Sequence, residues 1–96
     1  MTAYVIAQVK VHEPEQYKRY QAATSPTLAA YGGEFLVRGG GEIKHFGGTW
    51  DVERIAVIRF PSREQAEAWY HSPEYQEALR IRGDASTTVL TVVDGA

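Results

Sequence analysis

A two-layer α+β sandwich with the order βαββαβ is what these 96 residues predict. Apolar alternation recurs in separate short stretches, as half-buried strands require. Two helical stretches follow the first and the third of those strands, each with its own start and stop signals. The strands are apolar on both faces, so the sheet needs cover on two sides.

"AYVIAQVKV" (Ala3 to Val11) reads as the first strand, with Val5, Ala7, Val9 and Val11 alternating against Tyr4, Ile6, Gln8 and Lys10. Pro14 suits a first helical turn, where its missing N–H costs nothing. Tyr17, Tyr20, Thr24, Leu28 and Tyr31 then share one helical stripe. Pro26 interrupts that helix and should kink it near Thr24 or split it. Gly32-Gly33 ends it, because glycine takes the left-handed stop conformation at little cost.

"EFLVRGGGEIKHF" predicts a second strand bent by a bulge at Gly39 to Gly41, and "GGTWD" the turn after it. "RIAVIRF" (Arg54 to Phe60) is the third strand. In "PSREQAEAWY", Ser62 and Gln65 have the spacing of a capping box, and Ala66, Trp69 and Tyr70 form an apolar face. Ser72-Pro73 starts a fresh helix that runs to about Arg82, since the residue before a proline avoids the α region. "STTVLTVV" (Ser86 to Val93) is the fourth strand. The whole chain, residues 1–96, is one domain of ferredoxin-like type.

In strand three Ile55 and Val57 lie opposite Ala56, Ile58 and Phe60; in strand four Val89 and Val93 lie opposite Leu90 and Val92. Helices of a βαββαβ unit cover one face only. The expected partner is therefore a second copy packed through the sheet face, giving a homodimer with a barrel-like core.

"YGGEFLVRGG" (Tyr31 to Gly40), "WDVERIAVIRFPS" (Trp50 to Ser62) and "AWYHSPEYQ" (Ala68 to Gln76) resemble the domain-of-unknown-function-1330 family, over about Ala3 to Val93. Val52 stands where that family often has a proline. The resemblance implies a ferredoxin-like fold within the dimeric α+β barrel superfamily. That superfamily includes cofactor-independent monooxygenases, muconolactone isomerase-like enzymes and stress-responsive barrel proteins. No activity is settled for the family itself.

Composition narrows the function classes. The chain is 44% hydrophobic, with a net charge of −2 and no stripe of its ten basic residues, which argues against nucleic-acid binding. It lacks cysteine, so thiol catalysis and thiolate metal sites are excluded. No run approaches a membrane span and the first residues read straight into a strand, so a cytoplasmic protein is expected. His12, His45 and His71 lie far apart, and neither a metal site nor a cofactor is expected. The glycines at 39–41 and 47–48 lie between strands rather than before a helix, which excludes a phosphate loop.

Arg82 is the anomaly. Wound at about 100° per residue, the last helix puts it in the middle of the arc formed by Tyr75, Ala78, Leu79 and Ile81. An inward guanidinium requires an acceptor. Glu53, Asp51 or a helix C-terminal carbonyl would serve structurally; the carboxylate or enolate of a small ligand would serve functionally. Arg38 and Arg59 lie within strands and are candidates to join it, their faces not fixed by the sequence. Tyr17, Tyr20 and Tyr31 present phenols on a core-facing stripe, and Trp69 and Tyr70 can wall a pocket between helix and sheet. His45 is the candidate catalytic base. The expected function is binding of a small organic acid or aromatic metabolite. The alternatives are a cofactor-independent isomerase or monooxygenase using the same pocket, and a purely structural or protein-binding dimer.

Overall fold

The computed structural model describes residues 1–48 and 52–96. Strands β1 (Ala3–Val11), β2 (Glu34–Arg38), β3 (Arg54–Phe60) and β4 (Ser86–Asp94) form one antiparallel sheet in the order β2-β3-β1-β4. Helices α1 (Pro14–Thr24), α2 (Arg63–Tyr70) and α3 (Pro73–Arg82) lie on one side of it.

Each boundary has a local cause. Pro14 opens α1, and past Thr24 the chain tightens into 3-10 turns at Ser25–Thr27 and Ala29–Tyr31, the split expected at Pro26. Gly32 takes φ 78°, the left-handed stop. Gly33 allows a close approach: a Cβ there would stand 2.8 Å from the Phe60 ring. Ser62 Oγ caps α2 by accepting from the Gln65 N–H at 3.2 Å. On the return side Gln65 Oε1 lies 3.5 Å from Ser62 Oγ, from which it accepts, and Gln65 Nε2 donates to the Tyr31 carbonyl at 3.3 Å. Ser72 Oγ caps α3 by accepting from the Tyr75 N–H and donates to the Trp69 carbonyl.

The second strand departs from expectation. It stops at Arg38, and 39–48 contains no strand. The irregularity that bends it lies between Phe35 and Val37, not at the glycines. Glycine-rich backbone has too much conformational freedom to hold a ladder, whereas one extra residue at Leu36 preserves pairing on both sides. Trp50 and most of the predicted turn (49–51) lie outside the described residues.

The extra residue at Leu36 decides which side chains face the helices. Glu34 pairs in register with Arg59 and Phe35 with Ile58; after the shift Val37 opposes Val57 and Arg38 opposes Ala56. Arg38 therefore shares the helix-facing side with Arg54, Ala56, Ile58 and Phe60. Arg59 is on the other side, in an ion pair with Glu34. The helix-facing core includes Val5, Val9, Ile58, Phe60, Ala66, Trp69, Tyr75 and Ala78. On the opposite side Val37, Val89 and Val93 are exposed and Ile6, Ile55 and Val57 half-buried, with no helix over them.

Candidate functional site

Side chains fill only part of the space between the helices and the sheet. Under α2 and α3, the rings of Phe60, Trp69 and Tyr75 pack on one another at tilted angles and are almost completely buried. Under α1 a cavity of about 420 Å³ remains. Its walls are Tyr17, Tyr20, Gln21 and Thr24 of α1 facing Ala7, Phe35, Arg38, Arg54, Ala56, Ile58 and Leu90 of the sheet, with Trp69 from α2. Room remains over the floor because β1 and β3 contribute Ala7 and Ala56 where the neighbouring half has Val5 and Phe60.

The cavity has polarity along its length. At one end the Arg54 guanidinium carbon lies 5.8 Å from the Tyr17 ring centroid, and Arg54 Nη2 donates to the Arg38 carbonyl at 3.3 Å. Arg38 folds back over the Phe35 ring, 4.6 Å from its centroid. Arg59, Arg63 and Arg80 each meet a carboxylate. Arg38 and Arg54 meet none among the described residues. At the other end Thr24 is 7% exposed, and its Oγ1 is buried without a hydrogen-bond partner among the described residues. Thr27, one turn on, is fully engaged: its Oγ1 accepts from Trp69 Nε1 at 2.8 Å and donates to the Thr24 carbonyl at 2.7 Å.

The phenols differ in kind. Tyr20 and Tyr75 bond to each other through their hydroxyls at 2.7 Å. Burial pushes the Tyr75 phenol far above its ordinary pKa, with Tyr20 adding to the rise. Burial also raises Tyr17, Tyr20 adding and Arg54 and Arg82 opposing, so Tyr17 is a hydrogen-bond donor near neutral pH.

Arg82 stands behind this wall rather than in it. Its guanidinium carbon lies 5.4 Å from the Tyr20 ring centroid, and its Nε is buried without a hydrogen-bond partner among the described residues. Glu53 does not pair with it; Glu53 Oε1 accepts from the Val11 N–H at 2.8 Å. Asp51 is outside the described residues. A cation against an aromatic face and at a helix C-terminus gains from both, which accounts for its inward position. The Arg82 carbonyl accepts from Gln16 Nε2 at 2.8 Å, tying α3 to α1.

Of the residues singled out from sequence, Tyr17, Tyr20, Arg38 and Trp69 come together around the cavity. Tyr31 packs at the core's edge, and Tyr70 meets the Tyr75 ring at a tilt and the His71 ring edge to face, outside the cavity lining. His45 is exposed on the 39–48 segment, its Nε2 3.3 Å from the Val52 carbonyl, and does not line the cavity. Arg54 and Thr24 emerge as wall residues whose chemistry was not anticipated. Among the described residues no three His, Asp or Glu side chains gather as a metal site, and no helix is long and apolar enough to cross a membrane.

Residues 2–96 match the family described as domain of unknown function, DUF1330. No curated protein sequence matches the chain. Among solved structures, RPA0582 of Rhodopseudomonas palustris, a protein of unknown function, superposes with a TM-score of 0.79 at 18% identity, covering 99% of this chain and 82% of that one. SnoaB of Streptomyces nogalater, a cofactor-independent oxygenase, gives 0.72 at 11% identity, covering 99% and 93%. A dimeric ferredoxin-like protein of unknown function from Jannaschia sp. CCS1 gives 0.71 at 13% identity, covering 99% and 100%. At these identities the likeness is one of fold, a ferredoxin-like sandwich.

Proposed function

The chain belongs to the DUF1330 family, and on that premise we propose that it is a homodimer binding a small organic acid or aromatic metabolite between α1 and the sheet. One observation carries the binding reading: a cavity of about 420 Å³ bordered by two arginines that meet no carboxylate among the described residues. That volume is within the roughly 300–1,000 Å³ of small-molecule sites. Aromatic and aliphatic walls with a few convergent polar groups are their usual lining. Guanidiniums at one end favour an anion, and Arg is suited to a planar carboxylate.

Pairing through the sheet's outer side would cover Ile6, Val37, Ile55, Val57, Val89 and Val93, which no helix protects. Solved proteins of this fold from Jannaschia and Thermobifida fusca are described as dimeric, in keeping with such an arrangement.

The test is to fill the cavity. Anilinonaphthalene sulfonate, an aromatic anion, should bind the native chain, and Ala56→Phe should weaken that binding at least about tenfold, the order expected for a blocked site. Unchanged binding in a folded Ala56→Phe variant would remove the cavity from consideration. Sedimentation at micromolar concentration should give twice the chain mass; a stable single subunit would contradict the homodimer.

A further inference from the structure

Phe60 is buried and Phe35 packs against the core, but Phe46 is 94% exposed. Covering a phenylalanine removes about 150–250 Å² of surface from water. Phe46 rides on the strandless segment 39–48, which has glycines at 39–41 and again at 47–48. A Cβ at Gly40, Gly41, Gly47 or Gly48 would meet nothing within 4 Å, so these parts of the segment stand clear of the body. His45, next to Phe46, lies with Nε2 3.3 Å from the Val52 carbonyl.

The same segment makes a groove. Val37 of β2, Ile55 of β3 and Ile43 enclose a space of about 230 Å³, completed by Gly39, Gly41 and Glu42. An apolar space of about 150 Å³ already admits a benzene ring. Phe46 does not line the groove of its own chain. Val37 and Ile55 belong to the side of the sheet that no helix covers, so the groove is continuous with the face assigned above to a second copy. That face is small in outline. Four strands about 4.8 Å apart and about seven residues long give roughly 450 Å², against about 800 Å² per partner in a stable dimer. Side-chain relief narrows the gap; an exposed aromatic and an apolar groove at the margin of the face close it. In a two-fold pair each copy receives what the other presents, so a projecting ring beside a groove of its size is self-complementary.

We propose that Phe46 anchors the homodimer by seating in the groove between Val37, Ile43 and Ile55 of a second copy, twice per dimer. An aromatic anchor in an apolar pocket is the usual centre of binding energy in an interface. This inference rests on the homodimer reading above and adds the residue and the receptor that hold it.

Sedimentation over a dilution series gives the dissociation constant of the native dimer and of two variants. Phe46→Ala removes the ring from an exposed position. Gly41→Leu fills the groove without strain, since φ there is not positive and a Cβ has open space. Each should raise the dissociation constant at least about a hundredfold, about tenfold for each of two seats, with circular dichroism unchanged. p-Benzoylphenylalanine at position 46 keeps an aromatic there and crosslinks to what it touches. In a mixture of isotopically light and heavy chains, irradiation should join position 46 of one chain to 37–43 or 55 of the other. A native dimer whose dissociation constant is unchanged in Phe46→Ala would overturn the anchor and leave the homodimer standing; one unchanged in Gly41→Leu would overturn the groove as its receptor. Crosslinks confined to one chain would give the groove to its own segment. A dimer in which position 46 links to nothing would leave the ring for another partner. Either result overturns the proposal. A native chain that sediments as a single subunit at micromolar concentration would overturn anchor and homodimer together.

Discussion

The two halves of the helical layer rest on the same sheet and are built differently. Under α2 and α3 the space is filled: Trp69 is 1% exposed and Tyr75 0%, their rings are 4.1 Å apart, and Trp69 Nε1 has its acceptor in Thr27. Under α1 alanines at Ala7 and Ala56 leave room, two arginines lack carboxylates among the described residues, and Thr24 lacks a hydrogen bond. Satisfied aromatics make the first half a source of stability. The second half holds polar groups at a cost, and groups held at such a cost are what a binding site requires. The halves meet in one row of rings, Trp69 to Tyr75 to Tyr20 to Tyr17, so the filled side braces the wall of the hollow one.

The largest effect should come from emptying the filled side. Trp69→Ala removes the largest of the fully buried side chains and the indole N–H that donates to Thr27 Oγ1. Large-to-small changes of this kind cost about 3–5 kcal/mol. Against a total of about 5–15 kcal/mol for a domain, that leaves the variant marginal. Urea denaturation followed by circular dichroism measures it; a loss below about 1 kcal/mol would show the α2–α3 half to be as loosely packed as the other.

Alkali should act on both halves through the phenols. Tyr17 and Tyr75 have pKa values raised above the ordinary 10.0, chiefly by burial. The unfolded chain therefore releases these protons first. The stability they contribute is fully present below about pH 10 and falls as pH rises from there towards the folded values. Tyr75, the more strongly shifted, should dominate. Tyr75→Phe should flatten the fall between about pH 10 and 12 more than Tyr17→Phe does. Equal flattening would mean that the two halves bury their phenols alike.

Most of the frame was legible in the sequence, because alternation, caps and prolines are local signals. Pro26 split its helix and Ser72-Pro73 began another as local sterics dictate. The cavity was legible only in fragments. Arg38 faces it through the shift at Leu36, and a one-residue slip exchanges every face beyond it. Nothing in "EFLVR" marks that position, whereas the nearby glycines draw attention to themselves. Arg54 did carry a signal: alternation places it with Ala56, Ile58 and Phe60, a charge in an apolar register, as Arg82 is on its helix. Thr24 carried none. A threonine on an apolar stripe reads as core, and whether its hydroxyl finds a partner depends on residues distant in sequence.

Two threonines offer the finest comparison between the halves. Thr24 and Thr27 are both buried, three residues apart, and differ in whether their hydroxyls are engaged. Thr27→Val should cost about 1–3 kcal/mol, because Trp69 Nε1 is left buried without an acceptor. Thr24→Val removes a hydroxyl with no partner among the described residues, and keeps nearly the same volume. It should change stability by less than about 0.5 kcal/mol, or raise it, since an unsatisfied buried group is a cost whose removal is neutral or favourable. Thermal denaturation of the two variants side by side decides the matter. A Thr24→Val loss as large as that of Thr27→Val would show that the Thr24 hydroxyl is engaged within the folded chain, and the contrast between a filled and a receptive half would lose its sharpest support.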